Sequence, residues 1–196
     1  IPRALAGRDL ALGPYPVASQ FSRAVFETDA DAYVLTIQPD VATYLFRHRQ
    51  DGFPLMAYDN ETWPERDRQW LRDEFEPVGL LDVDASMRNL AAIAGRLAAR
   101  SGAPVLVYNV SSIVPGDTVH CYAGLDETLA TRIRRFNVAL SDLSQRTGIS
   151  IVDVDAVIAR AGADRLKLDA FHLNDEGCRL VAAEAVRVLD DLGLID

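Results

Sequence analysis

Lysine is almost absent from this sequence. Among 196 residues with 20 basic ones, Lys167 is the only lysine and the rest are arginine. That imbalance reads as codon usage and by itself carries little physics. Cysteine is also scarce. Cys121 and Cys178 lack the paired spacing of a zinc or redox motif, and read as free thiols of a reducing compartment, so the expected location is cytoplasmic. No cluster of basic residues interrupts a net charge of −9, and a nucleic-acid groove needs a basic stripe, so no nucleic-acid partner is expected. No apolar run approaches the roughly 18 residues that cross a bilayer, so no membrane partner is expected either. No basic stretch followed by an apolar one opens the sequence, so no signal peptide is read, although the first residue is Ile rather than Met. Repeats, low-complexity segments and linkers are missing as well. The simplest reading is one domain over residues 1–196.

What is present is a globular composition, 49% apolar and 25% charged, long enough to bury a sizeable core. Strands and helices alternate. Asp9 to Gly13 is a short apolar run ending in Gly and Pro, a candidate strand, and Ala18 to Glu27 reads as a helix. Ala32 to Gln38 is apolar and β-branched and stops at Pro39, as a buried strand does. Asn60 to Glu76 reads as a helix with Trp63, Trp70, Leu71 and Phe75 on one face. Asp84 to Arg100 follows the helical period through Met87, Leu90, Ala94 and Leu97, and Ser101-Gly102 ends it. Pro104 to Val110 is the next buried strand. A helix carrying Leu129, Ile133, Phe136, Leu140 and Leu143 then closes at Gly148. Ile149 to Val154 is a further strand, and Asp175 to Leu192 the last helix. Buried strands separated by amphipathic helices imply an α/β fold, a three-layer α/β/α sandwich with a mainly parallel sheet. Sites in such sheets lie beyond the carboxyl ends of the strands. That rule singles out Gln38 to Asp40, Asn109 to Ser112 and the loop before the last helix.

That last loop, Leu168 to Gly177, is the most informative segment. His172 follows Asp169 by three residues, so a tight turn can bring the carboxylate to one ring nitrogen and leave the other free to take a proton. Asn174 or Asp175 can cap the following helix. An Asp-x-x-His alone is weak, since most exposed histidines have no such role.

The stretch Asp169-Ala-Phe-His172-Leu-Asn174-Asp-Glu-Gly177 resembles the last signature block of SGNH (GDSL-type) hydrolases, in which Asp-x-x-His-Leu-Asn/Ser-x-x-Gly precedes the C-terminal helix. The likeness extends upstream through Pro104 to Ile113, the helix Arg132 to Leu140, and the strand Ile151 to Asp155. The resemblance implies an SGNH/flavodoxin-like sandwich with Asp169 as orienter and His172 as base of a triad, serving a Ser at the end of the first strand. The family's Gly-Asp-Ser-Leu block is missing. Its third strand normally ends Gly-x-Asn-Asp, whereas Ala32 to Gln38 runs into Gln38-Pro39-Asp40-Val41. An ionised Asp40 only accepts hydrogen bonds, so the oxyanion hole is altered. Gln38 and Asn109 can donate through their amides, and Asn109 can equally cap its strand end.

The nucleophile is the gap. If Ala32 to Gln38 is strand three, then Asp9 to Gly13 is strand two. Strand one, interior to the sheet, would be supplied by a segment upstream of Ile1 or by a partner chain, because unpaired backbone groups in a core are costly. Ser19 is the rival nucleophile, lying between a candidate strand and a helix where it can equally be the helix N-cap. Ser111 and Ser112 read as turn formers or substrate contacts. His120 lies beside Cys121 in a loop able to line the same cleft, but two ligands are too few for a metal site. Asp153 and Asp155 read as caps of the next helix, and His48, between Arg47 and Arg49, as solvated. The leading expectation is an ester hydrolase or O-acyl transferase acting on a small-molecule or carbohydrate acyl ester, without a cofactor or metal. The alternative is a non-catalytic SGNH-like binding module with a degenerate site. A weaker one is a metal-assisted hydrolase built on His120, His172 and a carboxylate.

Overall fold

The computed structural model describes residues 1–115 and 126–195. In chain order these form the one-turn helices α1 (Val17–Gln20) and α2 (Ala24–Glu27), strand β1 (Tyr33–Thr36), helix α3 (Gln38–Ala42), strands β2 (Tyr44–His48) and β3 (Pro54–Leu55), helix α4 (Glu65–Glu74), strand β4 (Phe75–Leu80), helix α5 (Val83–Ser101), strand β5 (Val105–Tyr108), helix α6 (Leu129–Thr147), strand β6 (Ser150–Val152), and helices α7 (Val154–Ala161), α8 (Ala163–Leu166) and α9 (Asp175–Asp191). The sequence reads as one domain. The chain gathers into two compact units, Ile1–Thr28 with Ala42–Leu81, and Asp29–Val41 with Asp82–Asp196.

The second unit holds a parallel sheet in the order β1-β5-β6, with Tyr33 opposite Val105 and Tyr108 opposite Val152. The β-branched runs make these strands, and the twofold alternation sends their side chains to both faces. Leu106 and Val152 pack against Val188 of α9, while α5 and α6 lie against β5 and β6 on the other face. The fold is therefore α/β, with helices on both sides of a parallel sheet. Its long helices carry the stop signals their sequences promise. Asp82 caps α5 by accepting from the Asp84 and Ala85 N–H groups, and Gly102 ends it at φ 68°. Thr128 caps α6 in the same way.

β1 is shorter than the Ala32 to Gln38 expectation. Pro39 has no N–H to donate but fits a first helical turn, so the chain turns directly into α3. The Gln38 N–H donates to Thr36 Oγ1 (3.1 Å) at that corner. Tyr33 and Ile37 donate toward β5, to the Pro104 and Tyr108 carbonyls. Alternation then directs the backbone groups of Val34 and Thr36 to the opposite edge. Among the described residues no strand pairs there, and Val34 is 50% exposed. Asp9 to Gly13, expected as the second strand, forms no strand. Leu12 instead anchors the core of the first unit, and Ala11 offers its carbonyl to Trp63 Nε1.

The first unit is built on an antiparallel sheet in the order β3-β2-β4. Its core contains Leu5, Leu12, Leu55, Trp63, Leu71 and Phe75. Several expectations are corrected here. Asn60 to Glu76 is not one helix. A 3-10 turn at Asn60–Thr62 precedes α4, which starts after Pro64, and Phe75 already begins β4. Ala18 to Glu27 is likewise broken, into α1 and α2. His48, expected in solvent, is 3% exposed. It stacks on Phe53 with ring centroids 4.7 Å apart, and its Nδ1 accepts from the Asp51 N–H (3.0 Å). The alternation of β2 turns His48 inward, while Arg47 and Arg49 face Glu76 outside.

Candidate active site

The stretch between α8 and α9 is a closed turn. Lys167 and Leu173 form an antiparallel bridge at its base, and the Leu168 N–H donates to the His172 carbonyl (2.9 Å). Within it, Asp169 Oδ1 accepts the N–H groups of Phe171 and His172, each at 2.8 Å. The other carboxylate oxygen stands 2.7 Å from His172 Nδ1. These bonds, the two backbone donors first, hold the Asp169 carboxyl down at about 2, so it is the ionised form that faces the ring. A carboxylate on Nδ1 fixes the tautomer with the proton there and leaves Nε2 as the basic nitrogen. The His172 side chain is 71% exposed, so this nitrogen is open to a reacting group.

Asn174 caps α9, its Oδ1 accepting the Gly177 N–H at 3.0 Å. Gly177 is required by space rather than backbone angle. A Cβ there would lie 3.1 Å from the Leu166 carbonyl oxygen and 3.1 Å from Leu173 Cβ. The Gly177→Ala variant gains helix propensity but must push a backbone carbonyl away, and overpacking of this kind outweighs the gain. A net loss of about 1 kcal/mol, or a thermal midpoint lower by ~2–4 °C, is expected from melting curves, with the Asp169–His172 turn displaced.

The other residues singled out by the sequence are distributed differently. Asn109 lines a cleft with Asn137, Asp153 and Asp155, and its amide is taken up in hydrogen bonds within the fold. Nδ2 donates to Asp153 Oδ1 (2.8 Å) and Oδ1 accepts the Asp155 N–H (3.1 Å), so it clamps the carboxyl end of β5 to the start of α7. Asp153 caps α7. Asp155, read as a cap, instead accepts the Ser112 N–H at 2.7 Å. Ser111 is buried, its Oγ without a hydrogen-bond partner among the described residues, and Ser112 is buried too, so neither is a surface turn former. Gln38 opens α3 rather than ending a strand. Asp40, on α3, accepts from Ser86 Oγ (2.5 Å), and burial raises its carboxyl while that bond works against the rise.

A raised carboxylate favours the folded state while protonated and loses that contribution as the pH climbs through its folded value. Asp40→Asn keeps an acceptor for Ser86 and carries no charge. Its thermal midpoint is therefore expected to exceed that of the native chain at neutral pH, with the gap closing on acidification. Ser19 is not a helix N-cap. It sits inside α1, whose cap is Pro16, and it belongs to the first unit, whereas Asp169 and His172 belong to the second. His120 and Cys121 lie outside the described residues, and Cys178 is an exposed free thiol. Among the described residues no three His, Cys, Asp or Glu side chains gather as metal ligands, and no helix is long and apolar enough to cross a membrane.

Two residues escaped the sequence reading. Asn137 of α6 exchanges two hydrogen bonds with the Val110 backbone, which fixes the exit of β5. Lys167 is buried and donates to the loop after β5. The one available signal was position, since Lys167 stands immediately before the Asp169–His172 segment.

No family model and no curated protein matches the sequence. Among solved structures, LAE5, an alpha/beta hydrolase enzyme from the metagenome of Lake Arreo, Spain, matches 91% of this chain and 67% of its own, at 16% identity and a TM-score of 0.55. A member of the lipolytic protein G-D-S-L family from Veillonella parvula matches 56% of this chain and 55% of its own, at 17% identity and a TM-score of 0.44. A protein from Slackia heliotrinireducens assigned to the SGNH hydrolases matches 93% and 80%, at 18% identity and a TM-score of 0.47. The chain thus spans little more than half of the Veillonella protein. At these identities the likeness concerns the fold alone, and the LAE5 match carries it: the chain has an α/β fold similar to that of LAE5.

Proposed function

We propose that this protein is an ester hydrolase or O-acyl transferase in which His172 is the general base and Asp169 its orienter. The observation that carries the reading is the Asp169–His172 pair, with Nδ1 held at 2.7 Å by a carboxylate that two backbone N–H groups lock in place. His172 Nε2 takes the proton of a hydroxyl or thiol as it attacks an acyl carbonyl, then returns it to the leaving alkoxide. Water or an alcohol releases the acyl group. The substrate class is a small-molecule or carbohydrate acyl ester, and an exposed base suits a substrate that approaches from solvent.

Among the described residues of the second unit, no Ser or Cys side chain hydrogen-bonds to His172. The open edge of β1 offers a place for the missing group. Val34, Leu35, Ile37, Leu90, Ile93 and Tyr108 line a groove of about 610 Å³ along it. A strand pairing with Val34 and Thr36, from a segment outside the described residues or from another chain, would satisfy their backbone groups and carry a nucleophile at its end. Reaction of the protein with p-nitrophenyl acetate and a fluorophosphonate probe tests this. Turnover together with a covalent mass increase on a Ser supports it. Inertness to both sinks it and leaves the second reading, a binding module with a degenerate cleft, which the lack of a hydroxyl or thiol on His172 among the described residues favours.

A further inference from the structure

We propose that Lys167 is a positioning residue of the Asp169–His172 pair, its ammonium fastening the loop that leaves β5 to the turn that carries the pair. The inference rests on the functional reading above and extends it to a residue outside the signature block.

Lys167 is the only lysine of the chain and is 9% exposed, an unusual place for an ammonium. Its Nζ donates to the Ile113 carbonyl (2.6 Å) and to the Ser111 carbonyl (3.4 Å). Between those two carbonyls, the Ser112 N–H is bound by Asp155 (2.7 Å). The Ser111–Ser112 peptide group is therefore held by a buried cation on its oxygen and a carboxylate on its nitrogen, and the same cation holds the Ile113 carbonyl further along the loop. At the other end of the same residue, the Lys167 backbone pairs with Leu173 across the base of the Asp169–His172 turn. Lys167 thus joins two segments far apart in sequence, and its head group and main chain act on opposite sides of that joint.

Burial of the ammonium is costly. It lowers the Lys167 pKa, against the opposing pull of the Asp155 and Asp169 carboxylates. Helix termination does not require such a cost, since the Lys167 N–H already closes α8 on the Ala163 carbonyl (2.9 Å). An apolar side chain of like volume would avoid that cost but would leave the Ser111 and Ile113 carbonyls without their donor. What an apolar side chain cannot supply is a cation that grips two carbonyls and is attracted by the Asp169 carboxylate.

The test uses Lys167→Gln, which keeps a donor for one carbonyl without the charge, and Lys167→Arg, which keeps both. In the Gln variant the His172 ring resonances, including the Nδ1–H shared with Asp169, are expected to shift in the NMR spectrum. Ester turnover is expected to fall roughly 10- to 100-fold in kcat with KM little changed, the scale on which a displacement of ~1 Å at a catalytic group acts. Arg is expected to restore both. Native ring resonances in a folded Gln variant would overturn the proposal. If the Gln variant does not fold, the native chain titrated at alkaline pH decides. Loss of the Lys167 proton must then perturb the His172 ring and the Ile113 carbonyl in one shared step, and separate or absent steps would overturn it. The spectra stand whether or not the protein turns over ester. A flat comparison in an active enzyme refutes Lys167 alone, whereas shifted rings in an inactive protein refute the hydrolase reading alone.

Discussion

Ester turnover is expected to fall by about 10²–10⁴-fold when His172 is replaced by alanine, the usual contribution of a positioned general base. The thermal midpoint is expected to stay within about 2 °C, because the change is at a largely exposed side chain. The turn should survive the substitution. Asp169 keeps its bonds to the backbone N–H groups of residues 171 and 172, which do not depend on the imidazole. The pH profile gives the same experiment a second arm. Asp169 titrates at about 2, below the ordinary 3.8. A depressed carboxyl stabilises the fold above its unfolded value and loses that contribution only as the pH falls toward the folded one. Turnover lost on mild acidification is therefore not explained by protonation of Asp169. Paired measurements of rate and melting on the Ala variant check both arms. A variant that melts early, or that keeps native turnover, would remove His172 from the mechanism.

The second large effect concerns the core. Phe136→Ala is expected to destabilise the protein by about 3–5 kcal/mol, the range for removing a buried aromatic ring. Phe136 is 0% exposed on α6, and the Arg132 guanidinium lies 4.8 Å from its ring centroid. Arg132 is itself buried and donates to the Val41 carbonyl (2.8 Å), so loss of the ring also opens one face of a buried cation. For a chain of this length the loss corresponds to a midpoint lower by roughly 6–20 °C, a large part of a typical total stability of ~5–15 kcal/mol. Val138→Ala, two positions along the same helix but 62% exposed, is the control, with an expected change under about 0.5 kcal/mol. Equal effects at both positions would contradict the placement of α6.

Much of the second unit was legible because its signals are local. The helical periods of α5, α6 and α9, the glycines after α5 and α6, and the β-branched runs of β1, β5 and β6 each lie within a few residues of one another. The Asp169–His172 turn was legible for the same reason. The first unit was not, because its signals are non-local or broken. β3 has two residues, and β4 contains Pro77 and Gly79 where a strand pattern should be unbroken. Proline is tolerated there because β4 is an edge strand and pairs with β2 through a register shift beside Phe46. His48 looked solvated because its neighbours are charged. Only the pairing of β2 reveals which face each side chain takes. The same limit hid Lys167 and turned Asn109 into a clamp. Burial and partners far along the chain are settled by tertiary structure, and composition has no access to them.

The edge of β1, which no strand covers among the described residues, has a consequence for the protein as a material. Exposed main-chain donors and acceptors beside an apolar strip are a template for any extended chain, including a second molecule of the same kind. Soluble folds commonly guard such an edge with lysine, yet Val34 and Thr36 occupy the outward positions here and the one lysine is spent elsewhere. With the slot empty, the chain carries a growth face for fibrous or amorphous aggregates, and its colloidal behaviour depends on whether that face is occupied before concentration rises.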